Sequence, residues 1–503
     1  ALVLADRAEA AGLEHPLILT LAAEASEARG DDEWAASLLQ SAVELGPDQA
    51  ETWRRLATVQ GRLGLLEPAR AAAERALALA AGGVPYLMVA GAAAFAAGDL
   101  EAARAHYQAA AASGGAEAIE KLAAVAVRRG ETEEARKLAG RALAISPDRP
   151  GAVLTLARAD MLEADPVAAE KRLCDLLAHG VSDAVQVAAL DLRSEARDAQ
   201  GKVEIAFADC AARNALIARA RPPAPAHEPR LEEARRLAAW FSRADTRSWR
   251  HRPGDDEEGA RTLRLHAFVV GFPRSGATVL EKALASHPQV VSLAEVDCLG
   301  EAGRDCLCGP AQLAALADMD QAQADRRRAL YWRRVREKLG DNLDGKTLLD
   351  TRPLHTLALP VIAKLFPDAV ILFAVRDPRD AALSCFRRRF RQNAAVAEFL
   401  TLPDAARYYD AVMDLAKVYR ALLSLDVLEV RHEAVVADFD AELRRVLNAL
   451  GLPWHDAVRA AHLQLAGGLN STGVGQWRRY ARHLEVVRPI LDPWVARGGY
   501  PWV

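Results

Sequence analysis

Four glycines set a period in the first half of this chain. Gly30, Gly64, Gly98 and Gly130 stand 34, 34 and 32 residues apart. Five residues after each comes an alanine (Ala35, Ala69, Ala103, Ala135), and twelve after each comes another (Ala42, Ala76, Ala110, Ala142). Pro47 and Pro147 follow the first and fourth glycine by seventeen residues, and Trp53 and Leu56 precede Gly64. A unit this short cannot bury an apolar face alone, so a repeat of this kind must stack into one continuous core. A glycine suits the left-handed residue that ends a helix, the alanines let two helices approach closely, and a proline closes the second helix. The composition agrees: 51% of the 503 residues are hydrophobic but only 6% aromatic, so small side chains carry much of the core. These figures exclude a disordered, collagenous or disulfide-stapled chain. A net charge of −4 argues against a dedicated nucleic-acid or anionic-membrane binder, which carries a basic excess.

The pattern resembles the tetratricopeptide repeat, a helix–turn–helix unit of 34 residues. A fifth unit has Ala164 in the glycine position and Ala169 after it, a sixth and degenerate one lies around Gly201 and Ala206, and Ala1–Arg29 reads as a further helical pair or cap. The resemblance implies a concave surface for a peptide or protein, with a spacer or a homodimerisation scaffold as the other reading. Ala76–Gly98 carries no charge and is long enough to raise a membrane span. Gly82, Gly83 and Pro85 interrupt it, so it reads as two buried half-helices and a turn.

Six cysteines are too sparse for a disulfide framework and point to a reducing, cytoplasmic compartment. Cys298, Cys306 and Cys308 cluster, but they have no Cys-x-x-Cys spacing and no nearby histidine, so no metal is expected. The chain opens on Ala1 rather than Met, which leaves room for an upstream targeting segment. Four prolines in Arg221–Pro229 mark the end of the repeats, and a helical pattern follows at Leu231–Arg243. The expected domains are 1–220, a linker and connecting helix over 221–263, and a second domain over 264–503.

Leu265–Val270 is a buried-strand candidate. It runs into Gly271-Phe272-Pro273-Arg274-Ser275-Gly276-Ala277-Thr278 and then a periodic helix through Val279, Leu280, Ala283 and Leu284. Strand, glycine-rich turn and helix together aim backbone N–H groups at an anion. The Gly271-x4-Gly276 spacing is that of a nucleotide phosphate loop, but Ala277 replaces the lysine such loops carry. Arg274 supplies a cation instead. A second strand, Ala369–Val375, precedes Arg376-Asp377-Pro378-Arg379 and Ser384. Apolar strands alternating with helices predict a parallel sheet, whose ligands bind beyond the C-terminal strand ends. Two anion sites at one sheet edge suit a nucleotide with phosphates at both ends.

Pro-Arg-Ser-Gly-x-Thr after a strand, with Val-Arg-Asp-x-Arg and a serine eight residues past its first arginine, resembles the sulfotransferase superfamily. Within it the chain is similar to bacterial tetratricopeptide-repeat sulfotransferases, whose catalytic domain is related to protein-tyrosine sulfotransferases. The similarity runs from about Leu265 onward and includes Leu365–Ala369, Leu428–Glu433, Gly451–Trp454 and Trp477–Tyr480. It implies 3′-phosphoadenosine 5′-phosphosulfate (PAPS) as donor and 3′-phosphoadenosine 5′-phosphate (PAP) as product. Pro273, Arg274, Ser275, Gly276, Ala277 and Thr278 would hold the 5′-phosphosulfate, Arg376 and Ser384 the 3′-phosphate, and Ser471 and Thr472 the adenosine side. Glu295, 21 residues after Arg274, matches the family's catalytic glutamate in offset. Three departures stand out. The late segment Asn470-Ser471-Thr472-Gly473 lacks the basic residue that the family places ahead of it. Ala277 lacks a hydroxyl that the family loop has, a loss of about 1 kcal/mol. Thr351-Arg352-Pro353 lacks the lysine relatives place there, so Arg352 is the stand-in, with different reach and geometry.

The expected architecture is therefore a tetratricopeptide-like α-solenoid followed by a P-loop-like α/β sulfotransferase domain with a parallel sheet. The expected activity is sulfuryl transfer to a hydroxyl, such as a peptide tyrosine held by the repeats. A P-loop kinase or nucleotide hydrolase, and a scaffold with a decayed catalytic domain, are the competing readings. Arg387, Arg388, Arg389 and Arg391 read either as an attractant for an acidic acceptor or as a solvated face. Tyr408 and Tyr409 read as packing.

Overall fold

A computed structural model describes residues 15–80, 82–220, 228–245, 247, 249, 263–294, 296–340, 343–390, 394–466 and 473–502. The chain divides into two compact units, Ala1–Ala220 with Phe390–Asn393, and Arg221–Arg389 with Ala394–Val503.

The first unit is a run of helices: α1 (Pro16–Ala28), α2 (Asp32–Leu45), α3 (Ala50–Arg62), α4 (Leu66–Leu79), α5 (Val84–Ala97), α6 (Leu100–Ala111), α7 (Ala116–Arg128), α8 (Thr132–Ile145), α9 (Pro150–Leu162), α10 (Pro166–Ala178), α11 (Asp183–Ala199) and α12 (Val203–Ala220). The periodic glycines end helices with positive φ, and Ala164 takes the same left-handed backbone at φ 58° in the fifth unit. An aspartate follows three of these stops. Asp31, Asp99 and Asp165 each accept from the N–H three residues on and so start the next helix. The eight periodic alanines are at most 1% exposed, which fixes the small-residue requirement on packing. Trp53 Nε1 donates to the Pro47 carbonyl at 2.8 Å, joining two residues of the repeat signature. Buried carboxylates tie neighbouring helices. Asp160 accepts from Arg136 and Arg172, and Asp209 accepts from Arg193 and Arg197. The uncharged stretch resolves into the end of α4, a turn, and α5. Among the described residues no helix is long and apolar enough to cross a membrane.

The second unit opens with α13 (Arg230–Phe241). Its five-stranded parallel sheet comprises β1 (Leu265–Gly271), β2 (Val290–Ser292), β3 (Thr347–Thr351), β4 (Val370–Val375) and β5 (Asp426–Arg431), in the order β2-β3-β1-β4-β5. The helices that matter for the site are α14 (Ala277–Ala285), α15 (Gln321–Leu339), α16 (Leu359–Leu365), α17 (Pro378–Arg387), α18 (Leu402–Leu422) and α19 (Phe439–Ala449).

Alternation along β1 separates the two faces of the sheet. Ala267 and Val269 join Leu349, Leu372 and Val430 in a core closed by Leu280 and Leu284 of α14 and by Leu443 and Val446 of α19. His266 and Phe268 enter an aromatic cluster with Tyr331, Trp332 and Phe366 on the other face. Register aligns the C-terminal strand ends: Val269 pairs with Thr351 and Gly271 with Ala374. The chain leaves β1 toward β3 on one side and β4 on the other, so the sheet switches direction where the glycine-rich turn begins.

Candidate anion-binding site

The glycine-rich turn is built at the end of the central strand. Gly271 has φ 146°, and a Cβ there would lie 2.3 Å from the Ala374 carbonyl oxygen, so only glycine lets β1 and β4 approach. Thr356 pins the same residue from the other side. Its Oγ1 accepts from Gly271 N–H at 2.9 Å and lies 2.8 Å from the Gly271 carbonyl. Gly276 precedes α14 with φ 99°, and a Cβ there would meet His432 Nδ1 at 2.7 Å. Arg274 also takes a left-handed backbone, φ 68°. Strain of this kind persists where surrounding structure enforces it, commonly at ligand sites.

Arg274, Ser384 and Arg376 are brought together although about 100 residues separate the loop from the other two. Arg274 Nε donates to Ser384 Oγ at 3.1 Å. Arg376 Nη1 donates to the Arg274 carbonyl at 3.0 Å, and its Nη2 donates to the Gly473 carbonyl. Arg376 is 7% exposed, and its Nε has no hydrogen-bond partner among the described residues. Its nearest carboxylate, Asp380, stands 4.0 Å away and is occupied by the N–H groups of Gly475 and Trp477. Asp380 thereby clamps the late segment onto α17.

The electrostatics are those of a site short of negative charge. Burial, with the Arg388 and Arg376 guanidiniums close by, pushes Arg274 below the usual guanidinium range. Burial and the same two cations, Arg376 and Arg274, hold His432 at about 4, so its imidazole is neutral at neutral pH. Converging cations, a helix N-terminus and loop N–H groups favour a multiply charged anion.

On the β3 side, Arg352 Nη1 pairs with Asp297 Oδ2 at 3.1 Å. Burial alone would raise Asp297, but His355 and Arg352 hold it at about 2. Ser275 and Ala277 are buried in the turn. Glu295, Ser471 and Thr472 lie outside the described residues.

Among the described residues no group of histidine, cysteine and carboxylate side chains could hold a metal ion. Cys298, Cys306 and Cys308 are free thiols, and burial raises Cys298 to about 12. Arg387 of the basic run hydrogen-bonds Gln476 and lies over the Tyr480 ring, so part of that run packs against the protein itself. Tyr408 and Tyr409 are buried, as the helical pattern predicted.

Sequence reasoning passed over Thr356, Asp380, His432 and His355. His432 lies in the Leu428–Glu433 segment of the resemblance, which assigns it no role; each of the four acts through a contact 56 or more residues away or through a short turn. Thr356 and Asp380 had one available signal, a polar residue just beyond a strand end.

A sulfotransferase-family model matches residues 267–456 and a tetratricopeptide-repeat model matches residues 126–190. An uncharacterized protein of Aquifex aeolicus is 23% identical over 250 residues, covering 45% of this chain and 32% of that protein. Protein-tyrosine sulfotransferase 1 of Danio rerio is 25% identical over 257 residues, covering 46% of this chain and 65% of that protein. Less than two-thirds of either relative's length is therefore matched. A solved tetratricopeptide-repeat protein of Thermus thermophilus is 23% identical with a TM-score of 0.31, covering 37% of this chain and 98% of that one. The second unit thus carries a domain of the sulfotransferase family, and the chain ahead of it carries tetratricopeptide repeats.

Proposed function

We propose that the second unit transfers a sulfuryl group from PAPS to an acceptor hydroxyl, and that the acceptor is a tyrosine of a peptide or protein bound by the repeats. The observation that carries this reading is the convergence of Arg274, Ser384 and Arg376, with the buried Arg376 Nε unpartnered among the described residues. Such a donor set fits a nucleotide phosphorylated at two positions. Pro273 to Thr278 hold the 5′ side, Arg376 and Ser384 the 3′-phosphate, and Ser471 and Thr472 the adenosine side. The name of the Danio rerio relative supports tyrosine as the acceptor class. The free cysteines support a reducing, cytoplasmic setting.

The chemistry is an in-line displacement at sulfur. The acceptor oxygen–sulfur bond forms as the bond from sulfur to the bridging phosphate oxygen breaks. Glu295 takes the acceptor proton. Arg274, the loop N–H groups and Arg352 stabilise the charge that grows on the departing PAP. Ala277, where a nucleotide hydrolase has lysine, counts against the kinase reading.

Incubating the full chain with sulfur-labelled PAPS and lysate of the source organism tests the reading. Labelled tyrosine peptides are expected by mass spectrometry. Glu295→Ala is expected to keep PAP binding and abolish transfer. Stabilisation by ATP–Mg²⁺ but not by PAP, with no label transferred, would overturn it.

A further inference from the structure

A buried polar chain runs beside the glycine-rich turn and reaches Arg352. It begins in the aromatic cluster, where the His266 ring nitrogen Nε2 contacts the Tyr331 hydroxyl at 2.8 Å. Tyr331 in turn donates to Asp350 Oδ2 at 3.1 Å. Asp350 Oδ1 faces His355 Nδ1 at 3.5 Å, and His355 Nε2 faces Asp297 Oδ1 at 3.7 Å. The second oxygen of Asp297 pairs with Arg352.

Burial grades outward along this chain. Asp350 is 0% exposed and His355 8%, whereas the side chains of Asp297 and Arg352 are 45% and 37% exposed. Asp350 Oδ1 and His355 Nδ1 have no hydrogen-bond partner among the described residues and face each other at 3.5 Å.

Both ring nitrogens of His355 therefore face carboxylate oxygens. A neutral imidazole has one N–H and can donate to only one of them. The imidazolium has one N–H for each, directed at Asp350 Oδ1 at 3.5 Å and at Asp297 Oδ1 at 3.7 Å. Burial raises Asp350, so the charge the imidazolium answers is chiefly that of Asp297. Thr356, the next residue, is bound to Gly271, so the turn carrying His355 is fixed to the start of the phosphate loop.

We propose that His355 is a positioning residue: as the imidazolium it holds Asp297, and through Asp297 it orients the Arg352 guanidinium at the edge of the site. The groups that face it are Asp350 from β3, with Tyr331 of α15 behind it, and Asp297 from the loop after β2. The Cys298 thiol and the guanidiniums of Arg352 and Arg334 act within the same cluster. A neutral His355 has a single N–H to offer the two carboxylates, which leaves Asp297 and so Arg352 less firmly held. The catalytic part of this inference rests on the sulfuryl-transfer reading, in which Arg352 stabilises the leaving group.

Two measurements on the full chain test it. In the first, histidine carrying ¹³Cε1 is titrated by NMR, and the His355 resonance is assigned by its loss in His355→Gln. Asp297→Asn, at a half-exposed position, is expected to lower the His355 midpoint by about one pH unit, the effect of removing one nearby opposite charge. An unchanged midpoint overturns the proposal. In the second, His355→Gln is expected to lower kcat about tenfold or more and to flatten the alkaline limb of its pH profile, with the KM for PAPS within about twofold. A His355→Gln variant with wild-type kcat and pH profile also overturns it. If the wild-type chain transfers no sulfuryl group to any acceptor, the functional reading falls, and the titration alone decides whether His355 holds Asp297.

Discussion

Arg274 Nε donates to Ser384 Oγ at 3.1 Å, joining a loop after β1 to a helix after β4 across 110 positions of sequence. The family resemblance assigns these residues to opposite ends of the donor nucleotide, yet they touch. One donor of the guanidinium is thus committed to fixing its direction. The Ser384 hydroxyl has one proton of its own to offer, so it can accept from Arg274 and still donate to an anion. Ser384→Ala is expected to weaken PAP binding about fivefold to tenfold, the value of one hydrogen bond of about 1 kcal/mol. Calorimetric titration would show it, and an unchanged affinity would remove Ser384 from the site.

Arg376 offers a sharper discrimination. Its Nη atoms are committed to the Arg274 and Gly473 carbonyls, while its buried Nε is unpartnered among the described residues. A charged hydrogen bond to a phosphate is worth about 1.5–3 kcal/mol. Arg376→Ala should therefore weaken PAP by about tenfold to a hundredfold. Adenosine 5′-phosphate, which lacks the 3′ group, should lose much less. Equal losses for both nucleotides would show that Arg376 supports the loop and does not read the 3′-phosphate.

The features legible in the sequence were those with a period or a fixed spacing. The repeat showed because every unit spends a left-handed residue on its stop, even Ala164 where no glycine stands. β1 and β4 showed because a central parallel strand is apolar on both faces. β3 reads Thr-Leu-Leu-Asp-Thr, and β2 has three residues, so neither carries enough apolar pattern to stand out. Asp350 hid for a physical reason: a carboxylate in a central strand looks like a loop residue until Tyr331 and His355, 19 residues before it and 5 after it, are folded around it. The pairing of Arg352 with Asp297 was equally hidden, because it depends on β2 lying beside β3.

Gly271 is the position where backbone packing leaves least freedom. Alanine there would need a positive φ that L-residues avoid and would drive a methyl into the Ala374 carbonyl between two central strands. Backbone, unlike a side-chain tip, cannot swing away. Gly271→Ala is expected to destabilise the second unit by about 3 kcal/mol or more, combining φ strain with overpacking. Thr356→Val, which removes the hydroxyl bound to Gly271 but keeps its shape, should cost about 1–3 kcal/mol for the buried N–H left unpaired. Denaturant unfolding followed by tryptophan fluorescence would measure both. A Gly271→Ala protein as stable as wild type would mean that β1 and β4 separate more easily than their register implies.

Two buried neutral histidines should make the second unit lose stability as pH falls. Burial holds the imidazole of His266 at about 3, and burial with two arginines holds that of His432 at about 4, against 6.5 for an exposed imidazole. Both are neutral in the fold, whereas the unfolded chain protonates them as pH falls through about 6.5. The unfolded state then binds more protons, so stability declines as pH drops. The full effect of each histidine is about 1.4 kcal/mol per pH unit between its unfolded and folded values. Asp350 and Asp380, which burial raises, bind protons more readily in the fold and offset part of this slope. A substitution therefore isolates the term. His266→Gln is expected to lower stability at pH 7, because the contact with Tyr331 is disturbed, yet to flatten the decline between pH 6.5 and pH 4.5 by about 1.4 kcal/mol per unit. Trp332, buried with its ring 5.4 Å from His266, reports unfolding at that spot. Parallel pH profiles for variant and wild type would show that His266 does not change its proton occupancy on unfolding.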